Sequence, residues 1–152
     1  RDLGLFEYKG EVYCSVSPSR EYLKARSKKP TRTLSEACEV IVNLRGDATI
    51  TLSNEKGERV VMRYDAAAET FEMDRMNSGK TDFSNEFAAI TKAPTHGKMT
   101  QVRIFIDKCS VEAFDADGKM AMTNLVFPSK PYNEIVVKGK RKGKYQVYQL
   151  GK

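Results

Sequence analysis

In the stretch from Arg103 to Pro128, entered from Val102, apolar side chains recur at alternate positions, and this period of two constrains the fold more than any other feature of the chain. Val102, Ile104 and Ile106 alternate with Arg103 and Phe105, Asp107-Lys108-Cys109-Ser110 interrupts them as a turn, and Val111 to Asp115 resumes the alternation. Asp117-Gly118 is a dipeptide that accepts positive φ in a tight hairpin. Met120 to Phe127 then reads as a third strand, stopped by Pro128. The stretch predicts a three-stranded antiparallel meander.

The rest of the chain repeats this grammar. Leu3 to Tyr8 and Glu11 to Val16 flank Lys9-Gly10 as a first hairpin, with Val12, Cys14 and Val16 on one face. Ser17-Pro18 predicts a helix start, Ser17 as N-cap and Pro18 at the first helical position, and Ser19 to Arg26 is the one helical candidate. Val40, Val42 and Leu44 alternate with Glu39, Ile41 and Asn43, so this strand is apolar on nearly both faces and belongs in mid-sheet. Arg45-Gly46-Asp47 is a turn. Ala48, Ile50 and Leu52 point inward from the next strand, Val60, Met62 and Tyr64 from the one after, and Phe71 and Met73 from a short third. Phe83 to Ile90 reads as another extended segment, and Pro94 to Lys98 as a loop that leaves His96 exposed. Ile135 and Val137 precede a basic loop that reverses the chain into Tyr145, Val147, Tyr148 and Leu150. Ten to twelve strands separated by turns predict an all-β, two-sheet antiparallel β-sandwich, jelly-roll or concanavalin-like, with one short helix.

A chain of 152 residues, 40% of them hydrophobic, is long enough to build one core and carries no apolar run that could span a membrane. It opens Arg1-Asp2-Leu3 with neither an initiator Met nor a signal-peptide pattern, which reads as a processed chain or a piece of something larger. The net charge of +6 would suggest an anionic partner, but Lys138, Lys140, Arg141, Lys142 and Lys144 supply most of it from one loop. That loop is read as a solvated hairpin tip, with polyanion binding as the weaker alternative and nucleic acid not expected, because aromatic interleaving is poor. Cys14, Cys38 and Cys109 cannot all pair within one chain and fit neither a disulfide framework nor a zinc site. They are read as reduced, partly buried thiols, with a bond between two of them left open.

Chemistry is hard to assemble from these residues. His96 is the sole histidine, so neither a catalytic triad nor a histidine metal cluster can form. Gly139 and Gly143 precede no helix signal, which removes the phosphate-cradle reading. Asp107 and Glu112, five residues apart across a turn, are the tempting carboxylate pair for glycoside chemistry. Asp107, however, stands first in a four-residue turn, where a carboxylate accepts turn N–H groups. Glu112 opens the second arm and is expected to pair with an arginine such as Arg75 or Arg103. Both are therefore read as bracing groups; no catalytic residue, metal or cofactor is expected. Tyr8, Tyr13, Tyr22, Tyr132, Tyr145 and Tyr148 are the candidates for stacking on a sugar.

These same residues carry a resemblance. Asp107, Ser110, Glu112, Phe114, Asp117-Gly118, Thr123 and Phe127-Pro128 resemble, at fixed spacing, the C-terminal β-sandwich module of glycoside hydrolase family 32, which includes levanases, inulinases and invertases. Cys109 and Ala113 depart from that pattern. Tyr64-Asp65, Asp74-Arg75, Ser78 and Gly79 add a second match, and Pro18, Glu21 and Leu23 a looser one. The resemblance implies a non-catalytic module, Asp74 and Arg75 included among its framework residues. It also implies an N-terminal catalytic propeller in the parent chain that hydrolyses β-fructofuranosyl bonds without a cofactor. Homodimer contacts, fructan binding by the module itself, and export to the periplasm, cell surface or medium of a bacterium are further expectations of the same kind.

Overall fold

The computed structural model describes residues 1–139 and 144–151. Lys140, Arg141 and Lys142 of the basic loop lie outside the described residues. Among the described residues there are twelve strands and one short helix: β1 (Asp2–Tyr8), β2 (Glu11–Ser17), α1 (Glu21–Ala25), β3 (Cys38–Asn43), β4 (Ala48–Ser53), β5 (Arg59–Asp65), β6 (Thr70–Asp74), β7 (Ile90–Pro94), β8 (Gln101–Asp107), β9 (Ser110–Asp115), β10 (Ala121–Leu125), β11 (Glu134–Gly139) and β12 (Tyr145–Gln149).

They form two five-stranded antiparallel sheets and a separate hairpin. One sheet runs β10-β9-β8-β3-β12, the other β11-β4-β5-β6-β7, and β1 pairs only with β2. The period of two decides what each sheet buries. Val40, Val42, Val102, Ile104, Ile106, Val111, Ala113 and Val147 from the first meet Ile50, Leu52, Val60, Met62, Tyr64, Phe71 and Met73 from the second in one buried cluster. Each large aliphatic or aromatic side chain removed from water there contributes about 1.5–3 kcal/mol before the entropy of ordering it is counted. The all-β sandwich with one short helix is thus the observed architecture, and β3 lies inside its sheet, as its doubly apolar pattern requires.

Four local expectations are corrected. Ser17 is the last residue of β2, paired with Asp2, so the helix begins later: its N-cap is Arg20 and no side chain caps it. Ladder pairing to β1 claims Ser17 before helix capping can. Phe83 to Ala89 form turns, not a strand, and extended structure starts at Ile90. The third meander strand ends at Leu125, although the Val126 N–H still donates to the Cys109 carbonyl at 3.0 Å in the same register. Finally, β11 pairs with β4 in one sheet and β12 with β3 in the other, so these two strands do not pair with each other.

Candidate functional site

The outer face of the β8–β9 sheet carries one row of side chains across all five strands. Thr123 on β10 lies beside Glu112 on β9, Phe105 on β8, Glu39 on β3 and Tyr148 on β12. The N-terminal segment lies over this row and engages it at three points. Arg1 forms an ion pair with Glu112, to which the Thr123 hydroxyl also donates at 3.0 Å. The Tyr22 ring sits 4.8 Å from that of Phe105. Arg26 reaches Glu39 through Nε at 2.5 Å and Nη2 at 2.7 Å, with its guanidinium 4.9 Å from the Tyr148 ring.

Glu39 is the electrostatic centre of the row. It is completely buried, and Arg103 donates to its Oε1 at 2.6 Å, the oxygen that Arg26 Nη2 also reaches. A buried carboxylate costs several kcal/mol in lost hydration unless oppositely charged groups bond to it directly, and two guanidinium groups, themselves less than a fifth exposed, do so here. Sequence reading passed over Glu39 as an alternating strand residue. The one available signal was a carboxylate in a strand apolar on both faces. Backbone bridges Arg26 to Leu150 and Thr31 to Val147 then tie the segment to β12.

The remaining residues singled out from the sequence fall into two groups. Asp107 Oδ1 accepts the Lys108 N–H at 2.7 Å, inside its own turn. Glu112 takes Arg1 as its partner; Arg103 is committed to Glu39, and Arg75 donates to the Leu125 carbonyl at 3.2 Å while lying 4.2 Å from the Phe87 ring. Phe114 lies under the Arg1 guanidinium, 5.4 Å away, and Ser110 pairs with Asp107 across the turn. Asp115 proves to be the turn's organiser: its Oδ1 accepts the N–H groups of Asp117 at 3.0 Å and Lys119 at 2.8 Å. Burial pushes its carboxyl above the usual range, and those N–H bonds oppose the rise. Gly118, at φ +72°, donates space as well as torsion, since a Cβ there would lie 2.5 Å from Ser17 Oγ and 3.0 Å from the Val16 carbonyl oxygen. The Val16 N–H in turn donates to the Gly118 carbonyl at 2.8 Å.

The second group gathers at the far end. Asp74 Oδ1 accepts the Met76 N–H at 3.1 Å, Gly79 at φ +139° lies flat against the Phe127-Pro128 backbone, and Lys80 N–H donates to the Phe127 carbonyl at 2.9 Å. Tyr132, buried, donates its hydroxyl to the Ser78 carbonyl at 2.5 Å. Two stretches distant in sequence therefore meet at one contact. Beside it Phe83, Phe87 and Phe127 form an aromatic trio with centroids 4.5–5.7 Å apart.

The hairpin β1–β2 leans on the sandwich through one face. His96, at φ +48°, is half-buried, in contrast to the exposed loop position expected of it. Its ring lies 5.3 Å from Phe6, 5.6 Å from Tyr8 and 4.3 Å from Tyr13, and Nδ1 is 3.2 Å from the Lys119 carbonyl. The Tyr8 hydroxyl donates to Glu69. Tyr8, Tyr13 and Tyr132 thus face inward; Tyr145 and Tyr148 have Arg32 and Arg26 over their rings. All three cysteines are free, Cys38 buried but Cys14 and Cys109 exposed.

An open depression of about 530 Å³ on the outside of the second sheet contains Asp47, Asp65 and Glu72. There Asp47 accepts the Ala66 N–H, Asp65 the Ala68 N–H, and Glu72 lies 3.5 Å from the Lys92 ammonium. No helix among the described residues is long and apolar enough to cross a membrane.

Residues 16–150 match the family model described as glycosyl hydrolases family 32 C terminal. A levanase of Bacillus sp. (strain L7) is 38% identical over 74 residues, which is 47% of this chain and 8% of that protein. The extracellular exo-inulinase inuE of Aspergillus niger is 33% identical over 98 residues, 62% of this chain and 17% of the relative. Among solved structures, the exo-inulinase of Aspergillus awamori superposes with a TM-score of 0.80 at 19% identity, over 98% of this chain and 34% of that one. The chain spans less than a fifth of the length of these two curated relatives.

Proposed function

The chain belongs to the C-terminal domain family of family 32 glycosyl hydrolases, and from that premise we propose that it is the non-catalytic sandwich of a β-fructofuranosidase of the levanase or inulinase type. In this reading residues 1–152 make up one domain that follows a catalytic propeller and stabilises it. The observation that carries the reading is the fate of the carboxylates. Retaining glycoside hydrolysis needs two carboxyl groups facing each other about 5–5.5 Å apart, one of them free to give up a proton. Glu112 and Asp107 are instead occupied by Arg1 and Thr123 and by the Lys108 N–H, and Glu39 lies buried between two arginines. Asp107, Ser110, Glu112, Phe114, Gly118, Asp74, Arg75, Phe127 and Pro128 are then framework residues, some seating the N-terminal segment and others joining the 74–80 and 125–128 stretches.

The purified chain incubated with sucrose, inulin or levan is expected to release no fructose, and release would sink the reading. Glu112→Gln should lower stability by up to about 1 kcal/mol, since the ion pair is partly exposed. An unchanged melting curve would remove Glu112 from the framework.

A second reading, fructan binding by the module, is favoured by one observation. Phe83 and Phe127 expose 54% and 39% of their surface side by side, as a sugar-stacking platform requires. It predicts retardation in a fructan-containing gel that Phe83→Ala abolishes.

A further inference from the structure

Residues 20–33 carry six cations, Arg20, Lys24, Arg26, Lys28, Lys29 and Arg32, against the single carboxylate of Glu21. Such a run is ordinarily a solvated connection, but here its backbone is fixed to a sheet edge. The order β10-β9-β8-β3-β12 leaves β12 outermost, and the segment lies along it. The Ser27 N–H donates to the Gln149 carbonyl at 2.9 Å, Thr31 and Val147 exchange bonds at 2.7 and 3.1 Å, and the Gly151 N–H donates to the Ala25 carbonyl at 3.3 Å. Gln149 Nε2 also donates to the Thr33 carbonyl at 3.0 Å. Lys24, Lys28, Lys29 and Arg32 are thereby held in order along the edge, all exposed. Lys144, exposed as well, continues the row beside Tyr145, whose ring lies 5.4 Å from the Arg32 guanidinium. Arg26 belongs to Glu39, and Arg20 lies 4.0 Å from Asp2. Lys24, Lys28, Lys29, Arg32 and Lys144 have no ion-pair partner among the described residues. Like charges held side by side repel, a cost that an anion laid across them removes.

We propose that this strip, Lys24, Lys28, Lys29, Arg32 and Lys144, binds a linear acidic polysaccharide with one carboxylate or sulfate on each sugar. The strip needs no second domain to complete it. Spacing selects the polymer. From Leu150 back to Lys144 the edge is six residues of extended chain, about 20 Å long, so the strip offers one cation per roughly 5 Å. Duplex DNA carries one charge per about 1.7 Å of its axis and is far denser than that. A glycan charged once per ring is spaced on the scale of the strip. Stacking of bases is closed off as well, because the Tyr145 and Tyr148 rings have Arg32 and Arg26 over them and Tyr22 packs on Phe105. A lipid surface would need more apolar area than Leu23, the one large aliphatic side chain exposed on the segment, supplies.

The test is titration of the protein with polygalacturonate, which bears a carboxylate on every ring, at about 50 and about 200 mM salt. Lys28→Gln, Lys29→Gln and Arg32→Gln together are expected to weaken binding at the lower salt by at least about tenfold and to make its salt dependence shallower, since fewer counterions are released. The control removes the same charge from three separate turns, with Lys56→Gln, Lys98→Gln and Lys108→Gln, and should lose far less. Lys28→Arg with Lys29→Arg keeps the charge and should keep the affinity. All the substituted side chains are exposed, so the melting temperatures should agree; if the triple strip variant melts early, Lys29→Gln alone is read, with a loss of about threefold. Equal losses in the strip and control variants would overturn the inference, because net charge alone then explains the binding. So would the absence of binding at the lower salt. Tighter binding to duplex DNA or to phosphatidylglycerol vesicles than to polygalacturonate at the same salt would give the strip to a different partner and overturn it too.

Discussion

Removing the Glu39 carboxylate would leave two guanidinium groups, of Arg26 and Arg103, under the N-terminal segment with nothing to neutralise them. Breaking one member of a buried ionic group typically costs about 3–5 kcal/mol, so Glu39→Gln should shift the denaturant midpoint sharply and Glu112→Gln by a clearly smaller, still measurable amount. Equal effects would show that the row has no centre. Asp115 behaves in the opposite sense. Burial raises its carboxyl above the ordinary value of 3.8, so the folded protein binds its proton more tightly than the unfolded chain does. Its contribution is therefore favourable in acid and declines as pH rises through the folded-state value. Asp115→Asn keeps an oxygen for the Asp117 and Lys119 N–H groups and discards the charge. Thermal melts of this variant should show a flatter decline between acid and neutral pH than the parent protein. At this scale the sequence was least legible. Glu39, Arg26 and Arg103 come from three separate elements, and no one-dimensional pattern announces that they converge. Arg1, which sits on Glu112, gave no local sign at all.

Among the elements, the strands were readable and their ends were not. Alternation located the hairpin and the meander, and placed Ile50, Leu52, Val60, Met62 and Tyr64 inward, because a sheet with one wet face must sort its side chains by parity. Ser17 illustrates what parity cannot decide. Its preference for helix starts competed with a ladder whose register extends to Asp2, and tertiary pairing won. The Phe83 to Ala89 turns mimic a strand in composition, but their rings pack on Phe127 and Arg75. Gly79 gives this junction its test. A side chain there would meet the Phe127 and Pro128 backbone, which cannot swing aside as a flexible side chain could, at a φ that only glycine adopts comfortably. Gly79→Ala should cost more than the roughly 1 kcal/mol of an ordinary glycine replacement, and calorimetry would register it. Gly10→Ala offers the comparison, since its positive φ is similar in kind but nothing stands within 4 Å of the added carbon.

For the molecule as a whole, one cluster of buried side chains joins the two sheets, whereas the hairpin is attached along a single face. Opening free energy should follow that division. In residues 1–152 alone, native-state hydrogen exchange is expected to release the β1 and β2 amides at lower free energy than those of β3 and β8; uniform protection would contradict it. The order of strands has another consequence. In the sheet β11-β4-β5-β6-β7 the last four strands join neighbours in sequence, so each of those pairs can form as soon as the next strand exists, and β11 is the one late arrival. The other sheet is assembled out of order: Val40 must wait for Ile104 and again for Val147. On a translating ribosome, β3 would therefore emerge early, with both edges bare until β8 follows and one edge bare until β12 does. A cell making this protein has to shelter that one segment from its neighbours on other ribosomes.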